Sequence, residues 1–135
     1  MDTYTADAVS MLCYLVDALP PAADAVYTDA ELGNCRIEAP STAVAEVLYA
    51  VARDREVRGV RLTGTPAETS DVLLSSGAVS LAPIDAAALE EYADVAETFS
   101  IHDGMIVASH RARGTDAIIT SDGAIREFGL ETVWG

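Results

Sequence analysis

The chain has 135 residues, with 22 acidic against 8 basic side chains for a formal charge of −14, and contains no lysine. That length suits one domain with its own core and is too short for two ordinary ones. The missing ammonium excludes Schiff-base catalysis, a Walker A phosphate loop and the lysine of a receiver-type phosphoacceptor domain.

Half of the residues are hydrophobic, too many for a disordered chain. The longest unbroken apolar runs, Met11–Val16 and Val47–Ala52, are six residues each, against roughly 20 for a bilayer span. The first basic residue is Arg36, so no basic segment precedes an apolar one as in a secretory leader. Cys13 and Cys35 match neither a metal-binding spacing nor a disulfide framework. The expectation is a soluble, reduced, cytoplasmic domain. Arginine without lysine, abundant Asp, Ala and Val, and few aromatics match a protein from a high-salt organism. There a Debye length of about 3 Å at 1 M salt mutes repulsion between surface acids. The charge then serves solubility and says little about the partner.

In chain order, residues 3–6 read as a short polar strand and 8–19 as an apolar helix stopped by Pro20-Pro21. A helix over 22–32 ends at Gly33-Asn34, and Arg36–Ala39 reads as a strand. Pro40-Ser41 starts a helix over 42–57 with Ser41 as N-cap. Thr65-Pro66 opens a helix to about Ser76, and Ala78–Ala82 is a strand. Asp85 caps a helix to about Thr98, and Asp103–Arg113 is helical before Gly114. Ala117–Thr120 is a strand, 122–128 a short helix, and Glu131–Trp134 a last strand. No repeat or linker breaks the chain, so residues 1–135 form one domain. Strands alternating with helices predict an α/β fold with a parallel sheet covered on both faces. Ligands of such sheets lie beyond the carboxyl ends of the strands.

Among 22 acids, context selects four. Asp7 directly follows the first strand, and Asp122 follows Ala117–Thr120 in the same way. Glu46 lies in Thr42–Ala52, otherwise uncharged and apolar on every face, which predicts a buried helix. A carboxylate there is costly unless paired or on a metal. Asp103 opens a helix after an uncharged stretch. Carboxylates converging on one cleft repel, and a divalent cation relieves them; oxygen ligands without a His or Cys cluster point to Mg²⁺ or Mn²⁺. Plain structural readings stand beside these: Asp7, Asp103 and Asp122 serve equally well as helix N-caps.

The order of these motifs resembles the PIN domain, the small nuclease fold that includes the VapC-type toxins. It is carried by Ala6-Asp7-Ala8-Val9-Ser10, by Pro40-Ser41-Thr42-Ala43-Val44-Ala45-Glu46, by His102-Asp103-Gly104-Met105 through Gly114, and by Ile118-Ile119-Thr120-Ser121-Asp122. The small hydroxyl residue usual after the first Asp is Ala8 here, with Ser10 the nearest substitute. The resemblance implies a three-layer α/β/α sandwich with a central parallel sheet of four to five short strands. It also implies a metal-dependent endoribonuclease in which Asp7, Glu46, Asp103 and Asp122 are catalytic and hold Mg²⁺ or Mn²⁺. Thr120 and Ser121 would orient Asp122 or simply end the strand. Arg111, Arg113 and Arg126 are the candidates for substrate phosphate, although the first two also suit a helix C-terminus electrostatically. His102 and His110 read as a loop residue and an exposed helix residue. The run Arg53, Asp54, Arg55, Glu56, Arg58 reads as a solvated helix face. Implied partners are RNA, a small antitoxin and a second copy in a homodimer. Two other readings remain: a PIN-like binding scaffold whose site is weakened at Ala8, and a haloacid-dehalogenase-like phosphatase. The latter expects a second Asp where Val9 stands and a lysine that the chain lacks.

Overall fold

The computed structural model describes residues 1–75 and 77–135. Five short strands form its sheet: β1 (Thr3–Ala6), β2 (Arg36–Pro40), β5 (Val79–Ala82), β6 (Ala117–Ile119) and β7 (Thr132–Val133). They lie in the order β5-β2-β1-β6-β7, every pairing parallel. Among the described residues, seven helices connect them: α1 (Ala8–Leu15), α2 (Pro21–Glu31), α3 (Ser41–Ala52), α4 (Pro66–Leu74), α5 (Ala86–Val95), α6 (Ile101–Arg113) and α7 (Gly123–Glu127). The predicted α/β architecture with a central parallel sheet is the one observed. Among the described residues, no helix is long and apolar enough to cross a membrane.

The central strands are buried on both faces. Ile37, Ala39, Ile118 and Ile119 are fully covered, and Met11, Val47, Leu73 and Val107 pack on them from the helices. The polar first strand is accommodated by pairing: the buried Thr5 hydroxyl bonds that of Thr115 at 2.8 Å, which meets Nδ1 of His110 at 2.7 Å. His110 is therefore half-buried rather than an exposed helix residue, and burial lowers its pKa. Cys13 and Cys35 are both free thiols.

Several boundaries differ from expectation for local reasons. The first helix stops at Leu15, four residues before the predicted end, because Asp17 turns left-handed at φ 54°. The amides of Asp17 and Ala18 then donate to the carbonyls of Tyr14 and Cys13, a Schellman closure normally built on glycine. Ser41 is the first residue of α3 and not its N-cap; its hydroxyl accepts from the Ile84 amide at 3.1 Å, tying α3 to the loop after β5. That helix ends at Ala52, five residues early, and the chain turns into a two-stranded hairpin that the sequence reading missed. Its strands are β3 (Glu56–Val57) and β4 (Val60–Arg61). The turn between them is Arg58-Gly59, both at positive φ, the backbone of a two-residue type I′ hairpin. The predicted end of α4 at Ser76 lies outside the described residues.

Candidate active site

Parallel pairing puts the carboxyl ends of β1 and β6 side by side, and the Asp7 amide donates to the Ile119 carbonyl. Asp7 caps α1, accepting the Ser10 amide at 2.7 Å. Asp122 caps α7, accepting the Ile125 amide at 3.0 Å. Their capping roles are real and leave each carboxylate one further oxygen. Asp103 differs from expectation, since Ser100 is the N-cap of α6 and Asp103 stands in its first turn. Its carboxylate is not spent on capping.

Asp7, Glu46 and Asp103 line one small cavity of about 60 Å³ with Thr42 and His102. Asp122 is not among the residues that line this cavity but lies near enough to Asp103 for its charge to act on that carboxyl. Burial pushes the Asp7 carboxyl up to about 6; hydrogen bonds from Thr120 and Ser10 pull it down, and Asp103 adds repulsion. Asp103 is raised as well, by burial first and by Asp122 second. Thr120 is fully buried and its hydroxyl accepts the Asp122 amide at 3.0 Å, so the side chain that favours the charged form of Asp7 also anchors the turn at Asp122. Ser121 is exposed.

Glu46 is not buried. Ala45 and Tyr49 on the same side of α3 are exposed, and Glu46 keeps 34% of its side chain accessible. A helix apolar on every face here has one face open, bordering a groove. His102 lies in the first turn of α6, not in a loop, and its Nδ1 meets a Glu46 oxygen. That contact is an ion pair when the ring is protonated and a hydrogen bond when it is neutral.

The candidate phosphate ligands are not gathered here. Arg113 is ten residues along α6 from Asp103, roughly 15 Å at the helical rise, and grips both oxygens of the buried Glu38 at 2.6 and 3.1 Å. Arg111 lies over the Phe128 ring, 5.4 Å from its centroid. Arg126 is exposed on α7.

Ser10, the substitute hydroxyl that the sequence offered, has a partner near Asp7 that sequence reasoning missed. The Tyr27 hydroxyl is 2.9 Å from Ser10 Oγ, which donates to the Asp7 carbonyl at 2.9 Å. Ser10 and Tyr27 are both buried, and Tyr27 stacks on Tyr14 at 4.7 Å. The signal available was Ser10 itself, three residues after Asp7 and one turn from it.

In charge and donor type the acids fit a hard divalent cation. All are oxygen donors, and among the described residues no arginine pairs with Asp7, Asp103 or Asp122. Their rotamers do not form a ligand set: no group of three or more His, Cys, Asp or Glu side chains is placed to hold an ion among the described residues. Glu46, on the rim of the same cavity, is engaged with His102.

No family model matches the sequence, and no curated protein matches it at the sequence level. Solved structures do match in shape. A chain of the Rickettsia felis VapBC2 complex, bound to a promoter DNA fragment, superposes with a TM-score of 0.71 at 15% identity, covering 97% of this chain and 98% of that one. Mycobacterium tuberculosis VapC20, a sarcin–ricin loop cleaving toxin, gives 0.65 at 15% identity over 98% and 99%. A chain of DNA-bound VapBC from Salmonella typhimurium gives 0.63 at 15% over 98% and 97%. Their coverage is end to end on both sides, so the likeness concerns the whole domain. The chain has the VapC-type PIN-domain fold.

Proposed function

We propose that this protein is a divalent-metal-dependent endoribonuclease and the toxin of a toxin–antitoxin pair. The carrying observation is the convergence of unpaired acids from separate elements, Asp7 after β1 and Asp103 on α6 beside Asp122 after β6, at the carboxyl end of the sheet. The similar structures support the substrate and partner classes, since one is a sarcin–ricin loop cleaving toxin and two are complexes named VapBC.

In this reading Asp7, Asp103 and Asp122 hold Mg²⁺ or Mn²⁺, and Glu46 joins them on leaving His102. The ion when bound supplies Lewis-acid polarisation of the phosphodiester and counter-charge for the leaving oxygen. The protein's own contribution is preorganisation. The Ser10 amide fixes the Asp7 carboxylate, Thr120 helps to favour its charged form and also holds the turn that carries Asp122, and Ala8, Val9 and Ile106 line the cavity beside the acids. The pH must rise past about 6 for Asp7 to ionise without a cation. Cation binding therefore competes with a proton there, and metal affinity rises across that range.

The test is titration calorimetry with Mn²⁺ in multi-molar KCl, on the parent and on Asp7→Asn and Asp103→Asn, followed by cleavage of single-stranded RNA. Binding in the parent that both substitutions abolish, with Mn²⁺-dependent cleavage, is the expected result. The scaffold reading has its own observation, the absence of a ready ligand set among the described residues. No Mn²⁺ binding, or binding indifferent to Asp7, would replace the nuclease with a non-catalytic PIN-like binding module.

A further inference from the structure

We propose that Tyr49, Arg53 and Arg55 form a subsite for a nucleotide of the single-stranded RNA next to the scissile phosphate. The proposal rests on the ribonuclease reading above. Expected to run along a helix face, residues 53–57 instead fold back over the end of α3. The amides of Arg53 and Arg55 both donate to the Ala50 carbonyl at 3.2 Å, and Asp54 donates to Val51 at 3.1 Å with φ 48°. The Leu62 amide closes on the Arg55 carbonyl at 2.8 Å, so the turn is held from the hairpin side too. This backbone lays the two guanidinium groups on one ring. The Arg53 carbon is 3.6 Å from the Tyr49 centroid and that of Arg55 is 5.3 Å away.

Two features make the cluster a binding surface. First, the ring is half exposed, and neither arginine forms an ion pair with a carboxylate among the described residues, in a chain with 22 acids. Arg36 and Arg113, by contrast, both close on Glu38. Guanidinium groups stacked on a ring keep their in-plane N–H donors for a phosphate, and an aromatic edge with arginine planes is a sequence-tolerant platform for a base. Second, the cluster is continuous with the acid cavity. A groove of about 1000 Å³ runs from Glu46 and His102 past Tyr92 to Tyr49 and Arg55, and Glu46 and Tyr49 are three residues apart on α3, about 5 Å along its axis. A phosphodiester at the acids therefore has its neighbouring nucleotide within reach of the groove, the base against its apolar wall and the phosphate on Arg53 and Arg55. The apolar wall would equally accept a protein helix, but the free cations at its end favour the polyanion.

The experiment measures binding of a fluorescently labelled single-stranded RNA by anisotropy in EDTA, where cleavage is off, over a series of KCl concentrations. The proteins are the parent, Arg53→Gln/Arg55→Gln and Tyr49→Leu, and Mn²⁺-dependent cleavage is measured on the same set. The arginine pair is expected to weaken binding about tenfold at low salt and to flatten the plot of log affinity against log salt by roughly 0.7 for each phosphate no longer neutralised. Tyr49→Leu is expected to weaken binding at least fivefold, as removal of one stacked base does, without changing the salt slope. In cleavage, KM rises while kcat holds. Affinity and slope unchanged in the variants, with cleavage intact in the parent, overturn the subsite and leave the nuclease standing. The same result with weakened binding of a partner protein assigns the groove to that protein instead. A parent that neither binds nor cuts RNA overturns both.

Discussion

Helix α6 ends in two acidic environments, and the chain treats them in opposite ways. At its C-terminal end the nearly buried Glu38 receives Arg113 through two hydrogen bonds and Arg36 at 3.2 Å. Its carboxyl is held below the usual range, by the Arg113 hydrogen bond first. At the N-terminal end Asp7, Asp103 and Asp122 crowd together with no arginine on any of them among the described residues, and burial drives Asp7 and Asp103 up. Of eight arginines, two close on one buried acid, and among the described residues none pairs with the three neighbours. A buried acid with a structural role is paired from within, and acids left without a partner are the ones the proposed function assigns to a ligand.

The sharpest break of that contrast removes a carboxylate at the N-terminal end. Asp7→Asn and Asp103→Asn are each expected to lower Mn²⁺-dependent RNA cleavage by about 10³-fold, about 4 kcal/mol of transition-state stabilisation. Single-turnover assays at saturating Mn²⁺ check it, and residual activity within tenfold of the parent removes that acid from the site.

Next in size is the opposite end. Arg113→Ala leaves Glu38 covered with only Arg36 to answer it, at an expected cost of about 3 kcal/mol in denaturant unfolding. Because the Glu38 carboxyl is lowered in the folded state, its stabilisation is present above the unfolded carboxylate value and lost as the pH falls through the folded one. Asp7 runs the other way. Its folded value of about 6 lies above the unfolded one near 4, so stability is fully present in acid and is lost as the pH rises from about 4 through 6. Asp7→Asn keeps a competent N-cap and is expected to raise stability by about 1–2 kcal/mol at pH 7 and by almost nothing at pH 4. One substitution that costs activity and gains stability, against one that costs stability, separates the two kinds of acid. Equal stability of Asp7→Asn and parent at pH 7 would mean that Asp7 is paired after all.

The same division explains what the sequence made legible. Strand ends followed by Asp, and Gly33 or Gly114 after a helix, are local signals, and they placed β1, β6 and the acids at the carboxyl edge. Three things were not local. The end of α1 rests on an aspartate in the left-handed region, upstream of Pro20-Pro21, the stop that the sequence offered. The end of α3 depends on Arg53 and Arg55 turning back to Ala50, which no helical period encodes. Arg113 met Glu38 across 75 residues, so its helix-terminal position could not reveal that it was already engaged. Uniform apolarity in α3 foretold burial and meant a groove wall, because periodicity reports the character of a face and not what covers it.

The smallest effect probes how the unpaired end is held. Tyr27→Phe keeps the stack on Tyr14 but removes the hydroxyl that bonds Ser10, leaving Ser10 Oγ with the Asp7 carbonyl alone. The absent buried hydrogen bond is expected to cost about 1 kcal/mol of stability. If the chain from Tyr27 through Ser10 aims Asp7, Mn²⁺ affinity falls as well, by about tenfold in line with other outer-shell losses at metal sites. Ser10→Ala, which keeps the backbone amide on Asp7, is expected to match it, and Ser10→Thr to restore the affinity. Equal stability loss in Tyr27→Phe and Ser10→Ala with unchanged Mn²⁺ affinity would make the pair a core contact that happens to lie behind the site. The missing hydroxyl at Ala8 would then have no substitute, and preorganisation of Asp7 would rest on Thr120 and the Ser10 amide.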